Sequence, residues 1–320
     1  MGKRGVFIGQ DQQPPDALRR RSLCMLGALA LTACDGGPHR ADYRPTLVTA
    51  SDDATVAEVR FGVVPMENFR HIYAVYSPIV AYLNDHLKQV RLTLEVARSL
   101  PAHEARLSER ALGFALSNPY QTCMATRRHG YHVFAKMGND AAFRGIWLVR
   151  RDSALGDIGE LKGQKICFPP RTALAATMMT RSQLLGAGID PERDVQASYV
   201  ASQENSIMQV ARGLVVAGAT WPLAWIGFQR QFPEQAAQLE VRWPTAPLIN
   251  QGLIARDDLA PALIDQVGRL LAGLHTVAAG RAMLARLPLE RFDRARDTDY
   301  LVVRDFLERY AREFPAEARP

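Results

Sequence analysis

The sequence has few cysteines, four in 320 residues, and none stands at a spacing with histidine that a tetrahedral metal site requires. His129 and His132 lie three apart but have no carboxylate in the same pattern, which reads as surface histidine rather than a metal pair. The sequence also contains no Gly-x-Ser-x-Gly elbow, no His-Glu-x-x-His and no phosphate-binding P-loop. These absences remove the commonest signs of a serine hydrolase, a zinc protease or a nucleotide hydrolase. Lysine and arginine are scattered rather than clustered, so nucleic-acid binding has no support. No enzyme activity, cofactor or metal is expected. Nor is there an apolar run near the roughly 20 residues that carry a helix across a bilayer.

The longest apolar run near the start, Leu23 to Ala33, covers about 11 residues; Arg19, Arg20 and Arg21 precede it, and Leu31-Thr32-Ala33-Cys34 closes it. A basic entry, a short apolar stretch, small residues and then cysteine look like a bacterial lipoprotein signal peptide. The expectation is cleavage after residue 33 and lipid on Cys34, which anchors the chain to a membrane that it does not cross. Asp35 resembles the residue that retains lipoproteins at the inner membrane in some Gram-negative bacteria. The leader carries five basic residues against two acidic ones, half of the formal charge of +6. Residues 34–57, rich in Gly, Pro, Asp and Thr, read as a flexible tether. Cys123 and Cys167 are either bridged or two buried free thiols.

Beyond the tether, short apolar runs alternate with amphipathic stretches. Residues 59–65, 91–97 and 112–117 read as strands, with a helix starting at Ser77 (N-cap) and Pro78 (first turn). Residues 145–149 lead into a second series, with strands at 165–168, 195–200, 216–221 and 239–243. Helices follow the first and second of these, the earlier running from 173 to 185. Residues 250–255 return as a strand, and 261–274 and 300–310 read as helices. One α/β unit interrupted by another, crossed twice, predicts two lobes: 58–145 with 251–320, and 146–250. Each would be a mixed sheet flanked by helices, with ligand-binding loops at strand C-termini and a ligand held between lobes that close on a hinge.

Three stretches carry a more specific likeness: Ser117-Asn118-Pro119-Tyr120, Cys167-Phe168-Pro169-Pro170-Arg171-Thr172-Ala173, and Val200-Ala201-Ser202-Gln203-Glu204-Asn205-Ser206 followed by Ala217-Gly218-Ala219-Thr220. Over residues 58–275 the chain resembles the phosphate/phosphite/phosphonate-binding family of ABC importers, a branch of the type 2 periplasmic binding proteins. The resemblance implies a monomeric protein on the periplasmic side of the envelope. It would capture a small oxyanion and deliver it to an inner-membrane permease; a tethered ligand sensor of the same fold is the alternative. It also implies an oxyanion against the N-terminus of the helix starting near Thr172, where free N–H groups and the helix dipole favour an anion.

The residues this points to are Tyr73, Tyr76, Ser117, Asn118, Tyr120, Arg171, Thr172, Ala173, Ser202, Gln203, Thr220 and Trp221. Several have a second reading. Thr172 and Ser202 can simply cap helices, Arg171 can pair with the anion or lie in solvent, and Tyr73, Tyr76 and Tyr120 can be lid or core. Phosphonate-binding members resemble one another in a Ser/Thr run where this chain has Thr172-Ala173-Leu174-Ala175. They often carry His where Gln203 stands, and acidic residues for an aminoalkyl group where only Glu204 is available. A buried dianion here would have to rely on backbone and arginine.

Overall fold

The computed structural model describes residues 56–65 and 69–315. The expected leader, Cys34 and all but the end of the tether lie outside these residues. Val59 to Val63 carry the apolar run that forms β1 (Ala57–Val63), exposed at its start and buried at its end. The chain continues through α1 (Phe69–His86), β2 (Val90–Val96), α2 (Leu100–Ser108), β3 (Phe114–Ser117), α3 (Pro119–Arg128) and β4 (Tyr131–Met137). A second series follows with β5 (Ile146–Arg150), β6 (Lys165–Phe168), a π-helical segment (Leu174–Met179) running into α4 (Thr180–Gly186), and β7 (Gln196–Tyr199). It ends with α5 (Gln203–Ala211), β8 (Ala217–Thr220), α6 (Pro222–Gln231), α7 (Pro233–Ala237) and β9 (Leu239–Arg242). The chain then adds β10 (Gly252–Arg256), α8 (Pro261–Gly273), α9 (Ala278–Arg286), β11 (Phe292–Arg294) and α10 (Leu301–Glu313).

Two mixed sheets result, with strand orders β11-β4-β10-β3-β1-β2 and β7-β6-β8-β5-β9. In the first, β1 runs parallel to β2 and β3, while β10 is antiparallel to β3 and β4. The second mirrors this scheme: β6 is parallel to β7 and β8, and β5 is antiparallel to β8 and β9. Helices cover both, as a mixed sheet needs when its two faces are apolar. In α8, for instance, Leu263, Val267 and Leu271 recur every four residues and are buried, each contributing roughly 1.5–3 kcal/mol by leaving water.

The chain passes between the sheets twice, after β4 and after β9, and the two crossings are bonded to each other. Thr245 N–H donates to the Gly145 carbonyl at 2.9 Å, Gly145 N–H donates to Thr245 Oγ1 at 3.0 Å, and Leu248 N–H donates to the Phe143 carbonyl at 2.9 Å. Gly145 is required for this close approach, because a Cβ there would stand 2.4 Å from the Ala175 carbonyl oxygen.

The structure corrects the start of the first helix. It begins at Phe69, so Pro78 lies inside it, and Ser77 is no N-cap: its hydroxyl donates back to the Tyr73 carbonyl at 2.6 Å. That back-bond feeds a carbonyl on the turn where proline removes an N–H. Cys123 and Cys167 are free and buried in separate cores, and burial pushes the Cys123 thiol up to about 12. His132 pairs with Asp297 at 2.9 Å, and no cluster of three potential metal ligands exists among the described residues.

Candidate functional site

A cavity of about 100 Å³ lies where residues of both sheet systems meet. Its wall is made chiefly of helix beginnings. Ser99 is the N-cap of α2, Asn118 of α3, Ala173 of the π-helical segment, Ser202 of α5 and Trp221 of α6, and all five line it. Local sequence explains four of the five starts. Ser99, Asn118 and Ser202 are strong cap formers, and Pro101, Pro119 and Pro222 occupy first-turn positions where a missing N–H costs nothing.

The cap side chains serve their own helices. Ser99 Oγ accepts from Ala102 N–H at 3.2 Å, Asn118 Oδ1 from Gln121 N–H at 3.1 Å, and Ser202 Oγ from Asn205 N–H at 3.1 Å. The remaining first-turn N–H groups have no acceptor within a helix. This is clearest at the π-helical segment, where the Ala173 carbonyl takes the N–H groups of Thr177 and Met178. The N–H groups of Leu174, Ala175 and Ala176 are thereby left over on the cavity wall. Each helix end adds roughly half a positive charge. Arg98, at the rim, is the sole formally charged residue among the described lining residues, and it forms no ion pair among them.

Gln203 is oriented from behind. Thr220, fully buried, donates its hydroxyl to Gln203 Oε1 at 3.0 Å, so the amide turns its NH₂ donors to other partners. Beneath α3 and α2, His103 is wholly buried with Nε2 2.9 Å from Ser117 Oγ. Desolvation holds its pKa down to about 4, and it adds no charge at neutral pH. Phe143 and Trp221 meet edge to face at 5.7 Å and form an apolar side of the cavity.

Of the residues singled out in the sequence, Asn118, Ala173, Ser202, Gln203 and Trp221 are brought together here. The others are placed elsewhere. Tyr73 is half exposed and stacked on Phe69 in the first turn of α1, while Tyr76 is buried in the first lobe's core. Ser117 faces His103, and Thr220 sits behind Gln203. Tyr120, Arg171 and Thr172 line a separate groove of about 900 Å³. Arg171 lies there 3.9 Å over the Tyr199 ring and 3.8 Å from Glu192. The helix begins at Leu174 rather than Thr172, which turns Thr172 away. Only its carbonyl remains near the cavity wall, where it accepts from Asn118 Nδ2 at 3.2 Å.

Arg98, Ser99, Leu100, Phe143, Ala175, Ala176 and Gln251 also line the wall and were not singled out. The signal was present for the first three: Ser99-Leu100-Pro101 at the end of β2 is a helix start at a strand C-terminus, where ligands bind in such sheets.

The family model for periplasmic substrate-binding proteins of phosphonate ABC transporters matches residues 61–300. Among solved structures, the chain is similar to a binding protein component of an ABC phosphonate transporter from Pseudomonas aeruginosa. The identity is 15%, the match covers 80% of this chain and 87% of that one, and the TM-score is 0.73. It is also similar to PhnD1 from Prochlorococcus marinus in complex with methylphosphonate, at 17% identity over 79% and 97% of the two chains, with a TM-score of 0.71. A third similar structure, a Xanthomonas citri protein bound to ATP, is 16% identical over 80% and 98% of the chains, with a TM-score of 0.64. At these identities the structures establish the fold alone. No curated protein matches the sequence.

Proposed function

The chain belongs to the family of periplasmic substrate-binding proteins of phosphonate ABC transporters, and from that premise we propose that it is the lipid-anchored capture subunit of an importer. Cys34 carries the anchor, residues 34–57 are the tether, and the protein works as a monomer on the periplasmic side of the inner membrane. One lobe comprises 58–145 with 251–320 and the other 146–250; together they enclose a small oxyanion of the phosphonate, phosphite or phosphate type and present it to a permease.

The observation that carries this reading is the convergence of five helix N-termini and Arg98 on one cavity. Backbone N–H groups fixed by their helices are preorganised donors for an anion and need no reorganisation when it arrives. Because the donors come from both lobes, an anion gains most when the lobes are together. That gain supplies the differential affinity that draws a hinged protein into its closed form. The methylphosphonate seen in the similar Prochlorococcus protein is of the same chemical class.

The test is thermal unfolding of the soluble form starting after Cys34, with phosphate, phosphite, methylphosphonate and sulfate. A ligand at about 100 times its Kd adds about 2.7 kcal/mol, which raises the midpoint by roughly 5–10 °C in a chain of this size. No rise with any of the four would remove the oxyanion reading. Metabolic labelling with radioactive palmitate tests the anchor: label on the wild type and none on Cys34→Ala is expected, and label retained by the variant would refute it.

A further inference from the structure

Resting on the oxyanion reading above, we infer that the cleft selects a short alkylphosphonate and rejects ligands that bring a hydrogen-bond donor with them, aminoalkylphosphonates above all. Two features of the wall converge on this. The first is its one-sided chemistry. Leu174, Ala175 and Ala176 offer N–H groups, and no carboxylate or histidine stands among the described lining residues. Of the side-chain acceptors on the wall, Asn118 Oδ1 already accepts from Gln121 N–H and Gln203 Oε1 from the Thr220 hydroxyl. An ammonium entering here gives up its water for positive helix ends and finds no compensating charge. The hydroxyl of hydrogen phosphate meets the same shortage in milder form, because an unmatched neutral donor costs less than an unmatched charge.

The second feature is the shape and character of the remainder. Leu100, Phe143 and Trp221 give the cavity an apolar side, and Ala173, Ala175 and Ala176 keep side chains out of the way of the backbone donors. The volume, about 100 Å³, is smaller than the roughly 150 Å³ that accommodates benzene. That leaves room for a tetrahedral oxyanion with a short chain of up to three heavy atoms. A methyl group in place of the fourth oxygen of phosphate contacts the apolar side and brings no donor, so the substituent that weakens binding in water-facing sites is favoured here.

The experiment is isothermal titration of the soluble form with methylphosphonate, phosphate, n-propylphosphonate and 2-aminoethylphosphonate. The last two match in size and differ in the terminal amine. The inference expects methylphosphonate to bind at least tenfold more tightly than phosphate, and the propyl compound at least tenfold more tightly than its amine counterpart. Gln203→Glu, which sets a carboxylate on the wall, should weaken methylphosphonate and narrow or reverse the propyl-to-amine ratio; an unchanged midpoint of unfolding without ligand shows that it is folded. Should 2-aminoethylphosphonate equal or exceed the propyl compound in the wild type, the selectivity inference fails while the oxyanion site stands. Should none of the four bind, the oxyanion reading itself fails and takes this inference with it.

Discussion

Replacing Arg181 probes the contact that ties the last helix to the second lobe. Its side chain is fully buried in α4. It donates from Nη1 to the Tyr310 hydroxyl at 2.6 Å, lies 4.2 Å over the Phe314 ring, and forms an ion pair with Glu192. Beside it, Ser182 Oγ donates to Glu313 Oε2 at 2.5 Å. Removing one partner of a buried pair costs about 3–5 kcal/mol when the other charge is stranded. Here Glu192 is half exposed, with 51% of its side chain accessible, so its stranded charge stays hydrated and the low end applies. The charge-assisted bond to Tyr310 contributes about 1.5–3 kcal/mol, and the ring contact about 0.5–2 kcal/mol.

Arg181→Ala should therefore lower stability by at least about 3 kcal/mol, or roughly 5 °C or more in midpoint. Arg181→Met fills the space without the desolvation of a charge and should lose less than half as much. Differential scanning calorimetry at neutral pH reads both. A midpoint for Arg181→Ala within 1 °C of wild type, or a Met variant less stable than the Ala variant, would refute the reasoning.

Other expectations are as direct. Arg98→Gln removes the rim charge and, at about 1.5–3 kcal/mol for a charge-assisted contact, should weaken methylphosphonate roughly 10- to 150-fold in titration without moving the unfolding midpoint of the free protein. Gly145→Ala drives a methyl against the Ala175 carbonyl; it should cost about 1–3 kcal/mol and weaken ligand as well, because the displaced π-helical segment carries the cavity's donors. Ser99→Ala removes a cap and should cost about 1 kcal/mol in denaturant unfolding. His103, depressed by burial from 6.5 to about 4, takes up its proton in the unfolded chain first. Its contribution is thus complete above pH 6.5 and lost as pH falls toward 4, about 3 kcal/mol across the window. His103→Gln should flatten that part of the stability–pH curve, and an unchanged acid slope would contradict the assignment.

Much of the fold could be read in the sequence because strands such as 165–168 and 250–255 are short apolar runs bounded by turn residues, and their alternation with amphipathic stretches sets the architecture. Elements with weaker patterns did not stand out, among them α2, β4, α6, α9 and β11. In β4, buried residues stand at Tyr131, Val133, Phe134, Ala135 and Met137, so neither a clean alternation nor a helical period emerges. Pro78 suggested a helix start because first-turn proline is common; only tertiary packing of Ile72, Val75 and Tyr76 extends the helix ahead of it.

The site was legible in part, for a chemical reason. A sequence advertises donors through side chains, which drew attention to Tyr120, Arg171 and Thr172. Among the described residues, the cavity's donors are chiefly main-chain N–H groups, three of them on Leu174, Ala175 and Ala176, whose side chains carry no signal. The one-residue difference between a helix capped by Thr172 and one capped by Ala173 decides which side chain faces the cavity, and helix ends are the least legible boundaries in a sequence.

The most direct test is amide-resolved NMR of the ¹⁵N-labelled soluble form titrated with methylphosphonate. The account predicts downfield shifts of the N–H resonances of Leu174, Ala175, Ala176 and Gln203 as they donate to the oxyanion, saturating at one ligand per chain. Shifts confined to the groove around Tyr120, Arg171 and Thr172, with those four amides unmoved, would contradict it.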